Sequence, residues 1–449
     1  MSDTKNNLAF RLIYLAIGLV LGVLFVLAPI KYAAGLTIGL GFAVFTFFQP
    51  KISYMLFFFG MLIIPNDYWN NMLILLSAFG YAALFALNFF LDKNKGLNAG
   101  TIAPSLILFT FFAVLSLFTG FGAMDSVRVF AIMLGCIIHS VLIFNFVETK
   151  EDLRILILIL AAAVALTSLF GLYQYIAGIE IKAEFTDLTQ SQGLSRLFST
   201  MANSNNDAES WVMLLPFIIA MMITTSCDTK RVVLAGVIGL CVIALMLTYS
   251  RSGYLALLAA AGIFVLIVSP KLVPVGILAL IIMIPFLPES LKARVLTIGK
   301  DTSSKYRLLI WEGVFRMFED FWITGIGMGP KAFTSIYRDY AHVNAKPAMH
   351  SHNVFLSVLA EIGIGGFISF MAYLFKTFRA GIVAQIKNVD PEMKIYLAAG
   401  VASLTAFCVF SLVEYVWFYP RVMLIFWLVT GLVLSMARMN YTKEQTGLE

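Results

Sequence analysis

The chain has 449 residues, of which 60% are hydrophobic and 12% charged, with a mean hydropathy of +0.91. Soluble domains are about half apolar and a quarter charged, so a soluble enzyme, a disordered chain, a collagen-like repeat and a disulfide scaffold are all excluded. The net charge is +6; in so apolar a chain, surplus Lys and Arg marks cytoplasmic turns rather than nucleic-acid binding.

The apolar runs approach about 20 residues, the length a helix needs to cross the hydrocarbon core. They lack the short alternation of a membrane β-barrel. The expected fold is all-α and polytopic. Lys5 and Arg11 precede the first run, which is long and lacks a small-residue cleavage site. It reads as a retained span, not a signal peptide. Fourteen spans are expected, at 9–30, 32–49, 52–65, 70–91, 102–121, 126–147, 153–178, 208–226, 232–249, 252–269, 272–288, 353–375, 394–415 and 419–437. The span at 126–147 opens beside Asp125, contains Arg128 and carries His139. Cys136, Cys227, Cys241 and Cys408 lie in or at the ends of apolar runs without CxxC spacing, and read as packing residues.

Charge supports the count. With the N-terminus inside, the cytoplasmic turns hold Lys51, Lys93, Lys95, Lys150, Arg154, Lys230, Arg231, Lys271, Lys376, Arg379 and Lys387. The short outward turns hold Lys31 and Arg421 and are otherwise nearly free of Lys and Arg. Both termini are expected in the cytoplasm. The chain divides into N-terminal spans (1–178), an outward loop (179–207), central spans (208–288), a large outward loop (289–352) and C-terminal spans with a short tail (353–449). Loops of that length are usually functional or disordered, which directs the search to the outer face. No internal repeat is visible.

In the first loop, Arg196 precedes Phe198 and the run Asn203-Ser-Asn205-Asn206-Asp207. Such amides cap helices, and they can also bind sugar hydroxyls. Arg251 sits in the short outward turn Ser250-Arg-Ser-Gly253. It is either a turn Arg or an anion contact.

The large loop holds nine basic residues against six acidic ones, and three of the four histidines. That runs against the positive-inside trend, and phosphate is the commonest reason. Residues 303–320 read as a helix capped by Ser303 or Ser304, with an apolar stripe of Leu308, Trp311, Phe315 and Phe318. Arg307 projects about 150° from the charged stripe of Lys305, Glu312, Arg316 and Glu319. It either snorkels from an interfacial helix or binds an anion. Gly325-Ile-Gly327-Met-Gly329 reads best as a tight turn.

His350 and His352 stand at the boundary of the next span. A His there can cap a helix, or take a proton from a hydroxyl near neutral pH. Two His at i, i+2 do not share a helix face, and no carboxylate cluster accompanies them in sequence, so no metal site is expected. Glu361, about two turns deeper, is either a functional intramembrane carboxylate or an interhelical hydrogen bond.

The order of these pieces is informative. Arg196 with an aromatic and Asn-x-Asn comes first, then Ser-Arg-x-Gly, then Arg307-x-x-x-Trp311 and Gly-x-Gly-x-Gly. His352-Asn353 follows, with nine residues before Gly363-x-x-Gly366. Over about 196–366 this resembles the family of bacterial O-antigen ligases and O-antigen polymerases. The first half resembles it only as a string of spans.

The resemblance implies a polytopic fold of the C-type lipid-dependent glycosyltransferases. It implies transfer of a glycan from undecaprenyl diphosphate on the outer face of the bacterial cytoplasmic (inner) membrane, with inversion. Carried over, His352 is the catalytic base, and Arg307, Arg251 and Arg196 contact the donor diphosphate. His350, Asn353, Glu361, Trp311, Gly363 and Gly366 are supporting residues. No Asp-x-Asp occurs, so no metal or other cofactor is expected. The leading expectation is a repeat-unit polymerase, because the span count leans that way, with a chain-length regulator as a partner. The alternative is a ligase acting on lipid A-core. A protein O-oligosaccharyltransferase and a transporter of lipid-linked glycans come after these.

Overall fold

The computed structural model describes residues 41–91, 103–119, 123–179, 196–283, 302–345 and 348–446, with isolated positions between them. The chain separates into a first unit through Phe57 and a second from Phe58 onward. In the first, residues 41–48 are helical, and helix α1 (Pro50–Ile63) opens there and runs on into the second.

The described part of the second unit is helical throughout. Its helices are α2 (Met72–Leu91), α3 (Pro104–Thr119), α4 (Ala123–Phe146), α5 (Lys150–Ile176), α6 (Ser204–Thr224), α7 (Asp228–Leu247), α8 (Arg251–Val268), α9 (Val273–Met283), α10 (Thr302–Phe321), α11 (Pro330–Tyr340), α12 (Val354–Lys387), α13 (Pro391–Ser411) and α14 (Pro420–Thr446). Eight of the described helices are long and apolar enough to cross a membrane: α4 to α8 and α12 to α14. This is a multi-pass membrane protein. Each predicted span from 52–65 onward meets a helix, but α1, α3 and the Met72–Leu87 part of α2 are apolar and shorter. Of the span expected at 272–288, the described residues hold the 11-residue helix α9, and 284 and 286–288 lie outside them. The spans at 9–30 and most of 32–49 lie outside the described residues, as does 180–195 of the first loop.

Burial sorts the helices into layers. α14 packs on α4 and α13, and α13 packs on α6 and α8. Trp211, Phe217, Phe407 and Trp427 lie fully buried in this middle. By contrast α7, α8 and α9 expose Val232, Val233, Ile243, Leu258, Leu278 and Ile281. Helices that are apolar all round and exposed belong against lipid.

Several details correct the sequence reading. α10 starts at Thr302, so Ser303 and Ser304 fall inside its first turn and do not cap it. Its buried stripe is Ile310, Val314 and Met317, packed against Phe333, Ile336 and Tyr337, while Leu308 and Phe315 are exposed. The apolar residues of α10 cover more than one face, and the face toward α11 and α12 wins burial. Cys227 is exposed just before α7, and so does not pack. Helix α12 runs to Lys387, well past the expected 375, and is broken at Gly363 (φ 82°, ψ 179°).

That break explains the glycine motifs. A broken helix leaves backbone groups open, and inside a bilayer they must find other partners. The Ile326 N–H donates to the Ala360 carbonyl (2.9 Å), and the Gly327 N–H to the Glu361 carbonyl (3.1 Å). In return the Ile364 N–H donates to the Trp322 carbonyl (2.8 Å). Gly325 and Gly363 both have positive φ, and a Cβ on either would overlap the facing backbone. The Gly325–Gly329 turn is a clip that seats α10 and α11 on α12.

Candidate functional site

The segments leading into α6 and α12, and α10 itself, were singled out separately in the sequence, and one residue that was not singled out joins them. Glu414 lies in the connection between α13 and α14, its side chain 8% exposed. Asn353 brings His352 to it. The Asn353 side chain caps α12 by accepting from the Leu356 N–H (3.0 Å), and its Nδ2 donates to the Leu412 carbonyl (2.9 Å). The loop before α12 is thereby tied to the connection. His352 Nδ1 lies 2.9 Å from Glu414 Oε1.

Trp311 brings Arg307. Its indole Nε1–H donates to the Ser351 carbonyl (2.9 Å), holding α10 to the same loop. Arg307, about one turn earlier on α10, places Nη2 3.4 Å from Glu414 Oε2. The third arm starts at Asn205, whose Nδ2 donates to Glu414 Oε2 (3.2 Å). Arg196 donates from Nη2 to Asn205 Oδ1 (2.8 Å) and from Nε to the Thr248 carbonyl (2.8 Å). That carbonyl belongs to the turn from which Arg251 opens α8.

Backbone strain marks the same loops. Among the described residues, three non-glycine residues have positive φ: Ala202 (55°), Tyr249 (50°) and His352 (52°). Such conformations cost about 1–3 kcal/mol each and persist where surrounding structure over-determines them, often at functional sites. Here they fall in the Arg196–Asn205 stretch, the turn before Arg251, and the His loop itself.

Charge is arranged asymmetrically. Burial alone would raise the Glu414 carboxyl, but His352 and Arg307 override it and hold the group well below the usual carboxylate range. Glu414 is therefore an anion at any physiological pH. His350 packs its ring against His352, Tyr415 and Phe418, at centroid distances of 4.2, 5.7 and 4.7 Å. Burial and the neighbouring His352 push its pKa down to about 3. It stays neutral, and its Nδ1 accepts the His352 backbone N–H (3.2 Å). With Nδ1 of His352 turned to a carboxylate, a neutral His352 keeps its proton on Nδ1 and a lone pair on Nε2. Arg307 makes one described bond, to Glu414, and its Nε is buried without a partner. Its remaining donors suit an anion.

Other residues noted in the sequence find partners within the fold. Glu361 is buried, and its Oε2 accepts from the Gly329 N–H (2.9 Å) and the Tyr415 hydroxyl (3.2 Å). It braces the clip to the connection that carries Glu414. Gly366 lies where a side chain would strike Ile362. Asn203 caps α6, and Asp207 accepts the Ser199 and Met201 N–H groups. His139 is buried and bonded to Ser77 and the Ile74 carbonyl.

Glu414 was missed because it ends a long apolar run and belongs to no motif. The usable signal was a lone carboxylate at the edge of a predicted span. No carboxylate cluster accompanies the histidines in sequence, but the fold brings one carboxylate, Glu414, to them. His350 and His352 precede α12, so helix spacing does not separate them, and with Glu414 they offer three donor atoms within 4.8 Å of one another. These atoms nonetheless already engage one another and Arg307. A cation there would face a guanidinium and compete with the His352–Glu414 bond, which makes the trio a poor metal site.

Residues 236–371 match the family described as O-antigen ligase. The matched segment contains Arg251, Arg307, His352, Gly363 and Gly366, and leaves out Arg196 and Glu414. No curated protein matches the chain.

Proposed function

With residues 236–371 placed in the O-antigen ligase family, whose members are glycosyltransferase-like enzymes, we propose that this chain transfers a glycan from undecaprenyl diphosphate to an acceptor hydroxyl. The observation that carries the reading is the His352–Glu414–Arg307 cluster. His352 Nε2 takes the proton of the acceptor hydroxyl as its oxygen attacks the anomeric carbon. Glu414 accepts from Nδ1–H, fixes the tautomer and offsets the imidazolium that forms. The bond from the anomeric carbon to the diphosphate oxygen breaks, and its electron pair leaves with undecaprenyl diphosphate. Arg307 meets the charge growing on the diphosphate oxygens, with Arg251 and Arg196 on the same side. One displacement inverts the anomeric centre. A diphosphate leaves well without a strong acid, and the residues supply positive charge without a metal.

In this reading the chain has fourteen spans in a C-type glycosyltransferase fold. It lies in the bacterial cytoplasmic membrane with both termini inside and the cluster on the outer face. The leading branch is a repeat-unit polymerase working with a chain-length regulator. The ligase branch, with lipid A-core as acceptor, draws support from the description of the matched family.

The test is a reaction of purified protein with undecaprenyl diphosphate-linked oligosaccharide, with and without lipid A-core, resolved on a gel. A ladder from the donor alone identifies a polymerase. A single shifted lipid A-core band identifies a ligase. If a matched donor gives neither, and His352→Ala leaves the cell's polysaccharide unchanged, the transferase reading fails and a transporter of lipid-linked glycans takes its place.

A further inference from the structure

A cavity of about 220 Å³ shares two of its lining rings, Tyr415 and Phe418, with the packing around His350. Its lining includes Tyr415, Trp417 and Phe418 of the connection, Asp125 and Arg128 in the first turns of α4, and Asn71. Tyr415 and Phe418 are also the rings that pack on His350, which in turn packs on His352, so a chain of ring contacts links the cavity to the cluster.

Its volume falls below the roughly 300–1,000 Å³ of sites for drug-sized ligands. It has room for one ring of a glycan and not for several. Aromatic rings present apolar faces, and the C–H face of a sugar is likewise apolar. A few polar groups at the rim then fix orientation. Asn71 Oδ1 accepts from the Trp69 Nε1–H (2.9 Å), leaving its amide N–H₂ group for a ligand.

The charges make the cavity selective. Asp125 pairs with Lys331 across the gap to α11 (3.4 Å). Arg128 is exposed, and among the described residues no hydrogen bond or ion pair engages it. The cavity therefore carries one uncompensated guanidinium, a planar fork that matches a carboxylate in two parallel bonds. The donor diphosphate is not the natural occupant, because Arg307 and Arg196 belong to the network around Glu414 and line no part of this cavity.

We propose that this cavity is a subsite for a single acidic sugar residue of the glycan substrate, with its ring against Trp417 and Phe418 and its carboxylate on Arg128. The origin of the ligand rests on the glycan-transfer reading above; the existence of the subsite does not. The site would hold the sugar next to the linkage being made and bias the enzyme toward uronic-acid-containing chains.

Saturation-transfer NMR on the detergent-solubilised full chain tests this, with glucuronate, glucose and inorganic phosphate as probes. Glucuronate should receive transfer to its ring protons, glucose at least several-fold less. Arg128→Glu should abolish the glucuronate signal, and Arg128 is exposed enough that the variant should fold. His352→Ala should leave the signal intact. Equal transfer to glucose, displacement of glucuronate by equimolar phosphate, persistence in Arg128→Glu, or no transfer at all would each overturn the proposal. Binding and turnover are read separately. Glucuronate binding in a protein without transferase activity would sink the function and keep the subsite; His352-dependent transfer without glucuronate binding would do the reverse.

Discussion

Glu414 lies in the connection between α13 and α14 and Arg421 in the first turn of α14, and the structure handles these two buried charges in opposite ways. Arg421 is closed. Its Nη1 donates to the Met61 and Ile64 carbonyls (3.2 and 2.7 Å), and its Nη2 to Asn66 Oδ1 and the Thr200 carbonyl (3.3 and 2.8 Å). Its guanidinium also lies over the Trp69 ring, 5.4 Å from the centroid. These partners tie the end of α1, the turn after it and the loop before α6 to the start of α14. Glu414 is open. It holds His352, Arg307 and Asn205, each with capacity left over. The lesson is that burial and charge do not mark a site; unspent donors and acceptors around a buried charge do.

The sharpest way to break this comparison is His352→Ala. Loss of a general base costs about 10²–10⁴-fold in rate, so glycan transfer should fall by that amount while the protein still purifies as a folded species. Retained transfer would make the open hub another piece of scaffold. Arg307→Ala should come next. Removing one preorganised donor costs about 10²–10³-fold in kcat, read with saturating lipid-linked donor. An effect confined to folding yield would contradict the anion role.

Arg421→Met should invert the pattern. Orphaned acceptors cost about 1–3 kcal/mol each, so Tm in detergent should drop sharply while transfer per folded molecule stays near wild type. A large loss of specific transfer would erase the distinction between the two hubs.

The smallest effect is on pH. His350 titrates at about 3 in the fold and near 6.5 unfolded. Below about pH 6.5 the unfolded chain takes up a proton that the fold refuses, so stability is complete above that pH and is lost as pH falls toward 3. The slope is at most about 1.4 kcal/mol per pH unit. His350→Gln should therefore flatten the fall of Tm between pH 6.5 and 5, a window above the range in which an unfolded Glu titrates. An unchanged slope would mean that the ring is not held neutral.

Much of this was readable from the chain, for reasons that differ by residue. Apolar runs fix helices because a bilayer leaves backbone polar groups no other partner, and α4 to α8, α13 and α14 fell close to expectation, while α12 runs past its expected end. Asn353, Trp311 and Arg307 were legible because motif spacing places them on one loop and one helix. Glu414 was not, because its partners come from three distant segments and only folding brings them together. The buried face of α10 was misread for a related reason. Leu308 and Ile310 are equally apolar, and the packing of α11 and α12, not hydropathy, decides that Ile310 is buried.

The central claim is that Glu414 acts through His352. It is tested most directly by transfer rates for Glu414→Gln, His352→Ala and the double variant, at one pH and saturating donor. The account predicts a clear loss in Glu414→Gln, and a double variant no slower than His352→Ala alone, since the carboxylate has nothing to orient once the imidazole is gone. Wild-type rates in Glu414→Gln, or losses that multiply in the double variant, would contradict it.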